Sequence, residues 1–526
     1  MEKLIRDSDA SAVGPIFALH YPIDQLSVRK VAQDRSRSFV ANLLAEDPEL
    51  FSPKFRALRP SIFSAREKDA ELHVGFISAD FNMRPVGKLV QSLPQLMNSY
   101  GAKISLWSLE LWDGSSVMTT ITQGVAVAEV VKGWSPFRIA SAINAAKVHV
   151  LVDLNGYTEG GGTATCILRP AAVVVNFLGY PGTMGVPAYD VIVADRVVLP
   201  PELYPNNFFE RALLMPHTYM VCDHHQSYPM DALSMPPPWA FNDTHTLPGF
   251  SLPALLSNPP PPAASSHKVV LANFNHLQKL GPDSFAQWMR TMQRVPDSFL
   301  WLLKFPAEAE IHLHREAVAA GVDPSRVVFL DKVNGDEHLQ SKRLADVFVD
   351  TFEYNAHVSG LDALWAGLPL LTMAGDRMAR RACPSFLVAL GLPELIARTD
   401  DDYGLLLQRL VAPQTRRRFL LHFRKEIASR RETRPLFDTP LWAQHFLTGG
   451  CRGGGAWWRC LQQHSLTVCR TEACLRARAG RGCGAGVEPS REGKERDGHV
   501  PCGGDAGVIC CAVKVALLQL LVLASV

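Results

Sequence analysis

Charge of one sign is nearly missing from this chain: 53 lysines and arginines stand against 51 aspartates and glutamates in 526 residues, a net of +2. That balance excludes a molecule built as a whole around a polyanion, so no nucleic-acid partner is expected. Cysteine is scarce through the first 450 residues, where only Cys166, Cys222 and Cys383 occur. Such sparse thiols argue against a secreted disulfide scaffold and fit a reducing compartment, cytoplasmic or nuclear. The opening MEKLIRDSDASAVG lacks the apolar core of a signal peptide. No C-x-x-C pair, GxGxxG or Walker loop is present, and no His/Cys/Asp cluster suggests a catalytic metal. With 47% hydrophobic and 20% charged residues, wholesale disorder is excluded too.

What is there is alternation. Residues 1–70 read as a mixed helical linker, with a turn near His20-Tyr21-Pro22 and a break at Asp47-Pro48. From 71 to 227, short β-branched runs such as ELHVGFISADF, KISLWSLEL, VHVLVDLNGYT, AAVVVNF and YDVIVAD alternate with helical stretches, which predicts βαβ units and a parallel sheet. A proline-rich joint follows at 228–266, with MPPPWA and NPPPPAASS. A second block at 267–448 repeats the pattern through HKVVLANFN, SFLWLLKF, SRVVFLDKV, ADVFVDTF and PLLTMAG. Two parallel-sheet domains place an active site in the cleft beyond the carboxyl ends of their strands.

From 449 to 526 the composition shifts to eight cysteines and 14 glycines without helix or strand periodicity. The expectation is a disordered tail. Its end, VICCAVKVALLQLLVLASV (508–526), is apolar but broken by Lys514 and Gln519, so a tail anchor in a membrane is the weaker alternative.

The strongest local feature is YNAHVSGLDALWAG (354–367), a strand exit running through small residues into a helix near Ser359. The first amides of a helix lack partners and carry the positive dipole end, so Val358 and Ser359 would face a phosphate, with His357 adding a donor and Asp362 accepting from sugar hydroxyls. Ordinary N-capping by Ser359 is the competing reading. In NFNHLQKL (273–280), Lys279 would stabilise charge on a diphosphate, or else be a solvated surface lysine. His338, after a strand, could cover a base. The loops LNGYTEGGG and LGYPGTMG permit close backbone approach, and His149, His217 and Tyr180 lie near such loops as either site or structural residues. Asp400-Asp401-Asp402 reads as a solvated turn before a helix.

Eight strings in order, HVGFISADF, LVDLNGYTEGG, LRPAAVVVNFLGYPGTMG, MPHTYM, NFNHLQKL, VPDSFLWLLKFP, LADVFVDT and NAHVSGLDALWAGLPLLTMAG, resemble the catalytic region of O-GlcNAc transferases. The resemblance implies an α/β GT-B fold of two Rossmann-like domains facing a cleft. It implies inverting, metal-independent transfer of N-acetylglucosamine from UDP-GlcNAc to Ser or Thr hydroxyls of intracellular proteins, with no cofactor. By motif, Lys279 matches the lysine on the UDP diphosphate, and His276 stands where the family usually has glutamine. His338 matches the histidine against uridine, and His357, Val358 and Ser359 match the phosphate-binding turn. Asp362 matches a ribose-side carboxylate and His149 a histidine of the acceptor side.

Departures accompany the match. In MRPVGK (83–88), Arg84 and Lys88 replace two family histidines, and a guanidinium cannot serve as a general base at neutral pH. Arg84 is therefore a catalytic-position residue of altered chemistry. Gly335 replaces a family lysine. No 34-residue tetratricopeptide repeats precede the catalytic region, so the chain is expected either to be truncated or to depend on another subunit. Two alternatives stand beside the leading reading, a protein O-fucosyltransferase using GDP-fucose and a catalytically impaired homologue that acts as a binding module.

Overall fold

The computed structural model describes residues 13–47, 71–204, 207–228, 268–332 and 335–449. The proline-rich joint (all but its first residue), the tail with its eight cysteines, and the 508–526 segment lie outside the described residues.

The first half builds a seven-stranded sheet from β1 (Leu72–Ser78), β2 (Ala102–Ser108), β3 (Val127–Val130), β4 (Val150–Asp153), β5 (Val173–Asn176), β6 (Val191–Asp195) and β7 (Arg211–Met215). Its order is β3-β2-β1-β4-β5-β6-β7 and every pair is parallel. The second half uses β8 (Val269–Asn273), β9 (Ser298–Leu303), β10 (Val327–Leu330), β11 (Val347–Val349), β12 (Leu370–Met373) and β13 (Ile396–Ala397) in the order β10-β9-β8-β11-β12-β13, again all parallel. Strand order therefore reverses between β1 and β4, and again between β8 and β11. At such switch points neighbouring connections leave to opposite faces of the sheet and open a crevice at the carboxyl ends. This is the doubly wound arrangement of two parallel-sheet halves that the alternation predicts, and it agrees with the GT-B fold that the resemblance implies.

Helices cover both faces of these strands, so the central ones are continuous apolar runs rather than alternating ones. VLVD, VVVN, VIVAD and VVLAN are buried throughout. Each of these runs ends in one polar side chain, Asp153, Asn176, Asp195 or Asn273, and those side chains organise the loops beyond. Asp153 Oδ1 accepts from the amides of Asn155 and Gly156 at 3.0 Å each. Asp195 accepts from the amides of Val197 and Val198, and its other oxygen takes the Tyr219 amide and the Ser385 hydroxyl. Polar strand ends hold the loop geometry because a buried carboxylate needs several donors.

Two segments sit differently from their sequence reading. The region expected to be a helical linker does contain a 22-residue helix, Gln25–Glu46, capped by Asp24 on the Ser27 amide, but the helix is packed on the first half. It buries Val28, Val31, Ala32 and Leu43 against the first half, and the Tyr157 hydroxyl donates to the Ala32 carbonyl at 3.1 Å. Gly185 has φ +68, and a Cβ there would lie 2.5 Å from the Gln33 amide nitrogen, so only glycine admits this helix so closely. The described part of 1–70 is thus first-half core. At the other end, helix Thr439–Thr448 belongs to the second block in sequence yet packs on the first half. Trp442 stacks on Phe177 with ring centroids 5.1 Å apart and donates to the Tyr219 carbonyl, while Thr439 donates to the Cys222 carbonyl.

Candidate functional site

The floor of the second half's crevice is the loop after β11. Asp350 directs it: Oδ1 accepts from the amides of Thr351 (2.9 Å) and Ala356 (2.7 Å), and Oδ2 takes the Thr372 hydroxyl at 2.7 Å. Burial pushes this carboxyl up to about 6, against those donors and Lys279. Thr351 in turn bonds the Tyr354 carbonyl, and Asn355 Nδ2 returns to the Thr351 carbonyl at 2.8 Å. The closed loop delivers His357 to the start of helix Val358–Trp365.

His357, not Ser359, occupies the cap position, and its side chain makes no capping bond. The Ser359 hydroxyl instead donates to Asn275 Oδ1, and Asn275 Nδ2 reaches Thr351 at 3.3 Å, which fastens the β8 exit to the helix tip. The amides of Gly360 and Leu361 already bond the His357 carbonyl, which leaves those of Val358 and Ser359 without an intrahelical acceptor. Both residues are partly exposed there. The helix is packed too tightly to shift, since a Cβ on Gly360 would meet Cys383 Sγ at 3.0 Å and Ala356 Cβ at 3.3 Å.

Lys279 ends the 3-10 turn Leu277–Lys279 that follows β8. Its ammonium donates to the Asn355 carbonyl at 3.1 Å and lies 4.1 Å from the centre of the Tyr354 ring. His357 Nδ1 lies 2.9 Å from the same carbonyl. One oxygen therefore brings together the lysine, the histidine and the helix tip. Burial lowers the Lys279 pKa to about 8, while Asp350 and Cys383 pull it back up. His357 is pushed down to about 3 by burial and then by Lys279, so it is neutral. A carbonyl can only accept, so Nδ1 carries the hydrogen and Nε2 is left as an acceptor, with no partner among the described residues. His357 was expected to add a donor for phosphate; the tautomer makes it an acceptor instead, suited to a hydroxyl or N–H of a ligand. His276 caps the same turn through Nδ1, lies edge-on to Phe305 at 4.5 Å, and is lowered by burial and Lys279.

His338, in helix Gly335–Lys342, stands edge-on to Phe274 at 5.8 Å and is pushed to about 3 by burial, with Lys342 and Lys88 acting the same way against Asp362. Asp362 is engaged at both oxygens, Oδ1 by His224 at 2.9 Å and Oδ2 by Lys342 at 3.3 Å. Burial would raise its pKa, but Lys342 and His224 more than offset this and hold it well below the usual carboxylate range. His224 comes from the first half, so Asp362 ties the two halves together. It is a bridging carboxylate with both oxygens engaged.

On the first half, Arg84 precedes helix Pro85–Val90 and donates to Asp80 at 3.1 Å, half exposed. Asn155, just beyond β4, gathers Ser78, the Ala79 amide, Asp80 and Thr158. Burial raises the Asp80 pKa against the Arg84 and Asn155 bonds. Lys88, one turn further, acts electrostatically on His338 and Lys342 across the crevice.

His149 is corrected by the fold. It precedes β4, buried at the amino edge of the sheet, where Nδ1 accepts the His73 amide at 2.9 Å. Four strand residues at ~3.3 Å each separate it from the crevice, roughly 13 Å. It is a structural residue and not part of the acceptor side. His217 lies at the seam with His445, rings 5.5 Å apart, and Tyr180 is buried against Tyr157. Asp400–Asp402 form the first turn of helix Asp400–Val411, capped by Thr399. Asp80, Asn155 and Tyr354 lie within strings the sequence singles out but were given no role there, and Lys342 and His224 are marked by no local motif. Among the described residues no group of three or more His, Cys, Asp or Glu could hold a metal.

The sequence matches the model of glycosyl transferase family 41 over residues 7–233 and 263–446. A probable UDP-N-acetylglucosamine–peptide N-acetylglucosaminyltransferase SEC of Arabidopsis thaliana is 30% identical over 448 residues, covering 85% of this chain and 43% of that protein. The UDP-N-acetylglucosamine–peptide N-acetylglucosaminyltransferase of Caenorhabditis elegans is 29% identical, over 70% of this chain and 39% of its own length. This chain therefore spans less than half the length of either curated relative. Among solved structures, a mutant of the Thermobaculum terrenum O-GlcNAc transferase superposes with a TM-score of 0.67 at 22% identity, over 88% of this chain and 80% of that one, a likeness of fold. With two all-parallel sheets, each carrying a switch point, and a family match on both sides of the joint, the chain belongs to glycosyl transferase family 41.

Proposed function

We propose that this chain is an inverting glycosyltransferase that moves N-acetylglucosamine from UDP-GlcNAc to Ser or Thr hydroxyls of proteins, acting in the cytoplasm or nucleus without a metal. The observation that carries the reading is the convergence of the Lys279 ammonium and the tip of helix Val358–Trp365 on the Asn355 carbonyl. An acceptor hydroxyl attacks the anomeric carbon, the bond to the UDP β-phosphate breaks, and the acceptor proton leaves to water. Negative charge grows on the departing diphosphate, where a fixed ammonium and the Val358 and Ser359 amides, which lack an intrahelical acceptor, stabilise it without reorganising. His338 over Phe274 offers an apolar wall for the uracil ring. The intracellular assignment is supported by three buried free cysteines among the described residues. No helix among those residues is long and apolar enough to cross a membrane.

Arg84 favours a second reading. Its guanidinium is bound to Asp80 at a position where the family motif has histidine, which suits a homologue that binds donor without transferring. Purified chain assayed with UDP-GlcNAc and with GDP-fucose on an acceptor protein tests both. Transfer from UDP-GlcNAc alone is expected. UDP binding without turnover of either donor would favour the second reading, and turnover of GDP-fucose would replace the first.

A further inference from the structure

Lys279 is a mostly buried ammonium, yet among the described residues no carboxylate forms an ion pair with it. A charge withdrawn from water needs a compensating partner. Asp350 pulls its pKa up, but both Asp350 oxygens are committed to Thr351, Ala356 and Thr372. Cys383 also acts on it, as a buried thiol kept protonated that donates to the Ala356 carbonyl at 3.1 Å. The other titratable groups facing the ammonium are His20, His276 and His357, all pushed down by burial and by Lys279 itself, so they are neutral. What touches the ammonium directly is the Asn355 carbonyl at 3.1 Å and the face of the Tyr354 ring, 4.1 Å from its centre. An ammonium has three donors. The carbonyl takes one and the ring covers a second side, which leaves the third for a ligand oxygen. The ring itself is fixed: the Thr351 hydroxyl donates to the Tyr354 carbonyl at 2.7 Å, and His20 and His357 stand edge-on to the ring at 4.8 and 5.1 Å. A cation over an aromatic face is attracted by the ring's negative potential, most strongly where water is kept out.

We propose that Tyr354 is a positioning residue for the transfer, its ring face standing in for a counter-ion so that Lys279 stays charged and directed at the diphosphate. The diphosphate half of this rests on the reading of the cleft as a UDP-sugar site; the pairing of ring and ammonium does not. The alternative is a ring that only fills space, and the two roles predict opposite signs. Removing a space-filling ring admits water to the ammonium and leaves the Lys279 pKa unchanged or higher, whereas removing a charge partner lowers it. Lysine isotopically labelled at Cε gives that titration by NMR on the full ligand-free chain, with the Lys279 signal identified by its absence from Lys279→Met. Tyr354→Phe keeps the face and should hold the pKa within about 0.3 pH units, while Tyr354→Leu should lower it by about 0.4–1.5. Trifluorophenylalanine at position 354 keeps the ring's volume but strips its face of negative potential, so it should lower the pKa too, and it decides the matter if Tyr354→Leu melts early. Only the charged lysine can hold the diphosphate, so calorimetry should show UDP weakened about two- to twentyfold in Tyr354→Leu near pH ~8.5, within about threefold near pH ~6, and uridine unaffected. A Lys279 pKa that is unchanged or higher with the fluorinated ring overturns the proposal. So does a lowered pKa with UDP affinity undiminished at the alkaline pH. Failure of the unsubstituted protein to bind UDP, with the pKa shift present, overturns the functional reading and leaves the ring–ammonium pairing standing.

Discussion

Replacing Lys279 by methionine removes the charge and keeps the stem against Tyr354. In the site proposed here the ammonium would stand about 4 Å from the oxygen that gains charge, and at an effective dielectric of ~20 that attraction is about 4 kcal/mol. Part of it is already present with bound substrate, so the share realised only in the transition state is about 2.7 kcal/mol or more, a hundredfold in turnover. Steady-state transfer from UDP-GlcNAc, with the thermal midpoint as a check on folding, reads this directly. The pH profile adds an independent arm. With a pKa near 8 in the ligand-free protein, Lys279 is charged below that pH and loses its proton above it, so kcat/KM should fall as pH rises through about 8. A bound diphosphate favours the ammonium, so the fall in kcat should come at higher pH. Lys342 also titrates near 8, so the alkaline fall is assigned by its disappearance in Lys279→Arg, whose guanidinium stays charged. Turnover within threefold of normal in Lys279→Met would refute the electrostatic role.

Three further perturbations follow from the packing. Gly360→Ala forces a Cβ to within 3.0 Å of Cys383 Sγ under the helix tip, so a loss of about 1–3 kcal/mol in stability and weaker UDP binding are expected by melting and calorimetry. His149→Leu strips the His73 amide of its acceptor at the far edge of the sheet; it should cost about 1–3 kcal/mol of stability and leave UDP affinity unchanged, and a loss of affinity beyond threefold would return His149 to the site. Arg377→Met leaves the mostly buried Glu353 with Arg380 at 3.8 Å as its remaining cation, so about 3 kcal/mol should be lost in denaturant unfolding at neutral pH; an unchanged midpoint would show the pair to be unimportant.

Much of this architecture is legible in the sequence because strands buried on both faces are unbroken apolar runs ended by a polar residue, as in VLVD and VVLAN. β3 (VAEV) and β13 (two residues) escape such reading, being short and partly polar or partly exposed at or near a sheet edge. The helix tip, expected near Ser359 and found at Val358, follows from local pattern, since a strand exit, small residues and an apolar helix occur in succession; for Lys279 local pattern left a surface lysine equally open, and the resemblance singled it out. His149 could have been placed correctly from strand polarity alone: it precedes VLVD, so in a parallel sheet it sits at the amino edge. Lys342 and His224 could not have been found that way. Each reaches the crevice through packing between segments distant in sequence, and no spacing rule encodes that. Asp362 shows the same limit, because its motif position is visible while its partner comes from the other half.

The crossing of helix Thr439–Thr448 onto the first half changes what joins the molecule. The lobes are connected by two passes of the chain, one after Tyr228 and one before Thr439, so they cannot swivel like beads on a single string. Any opening of the jaw is confined to rocking about the axis through both passes. A break in the backbone between residues 228 and 268 would leave the fragments clasped by the returning helix, and a functional split protein could be made there.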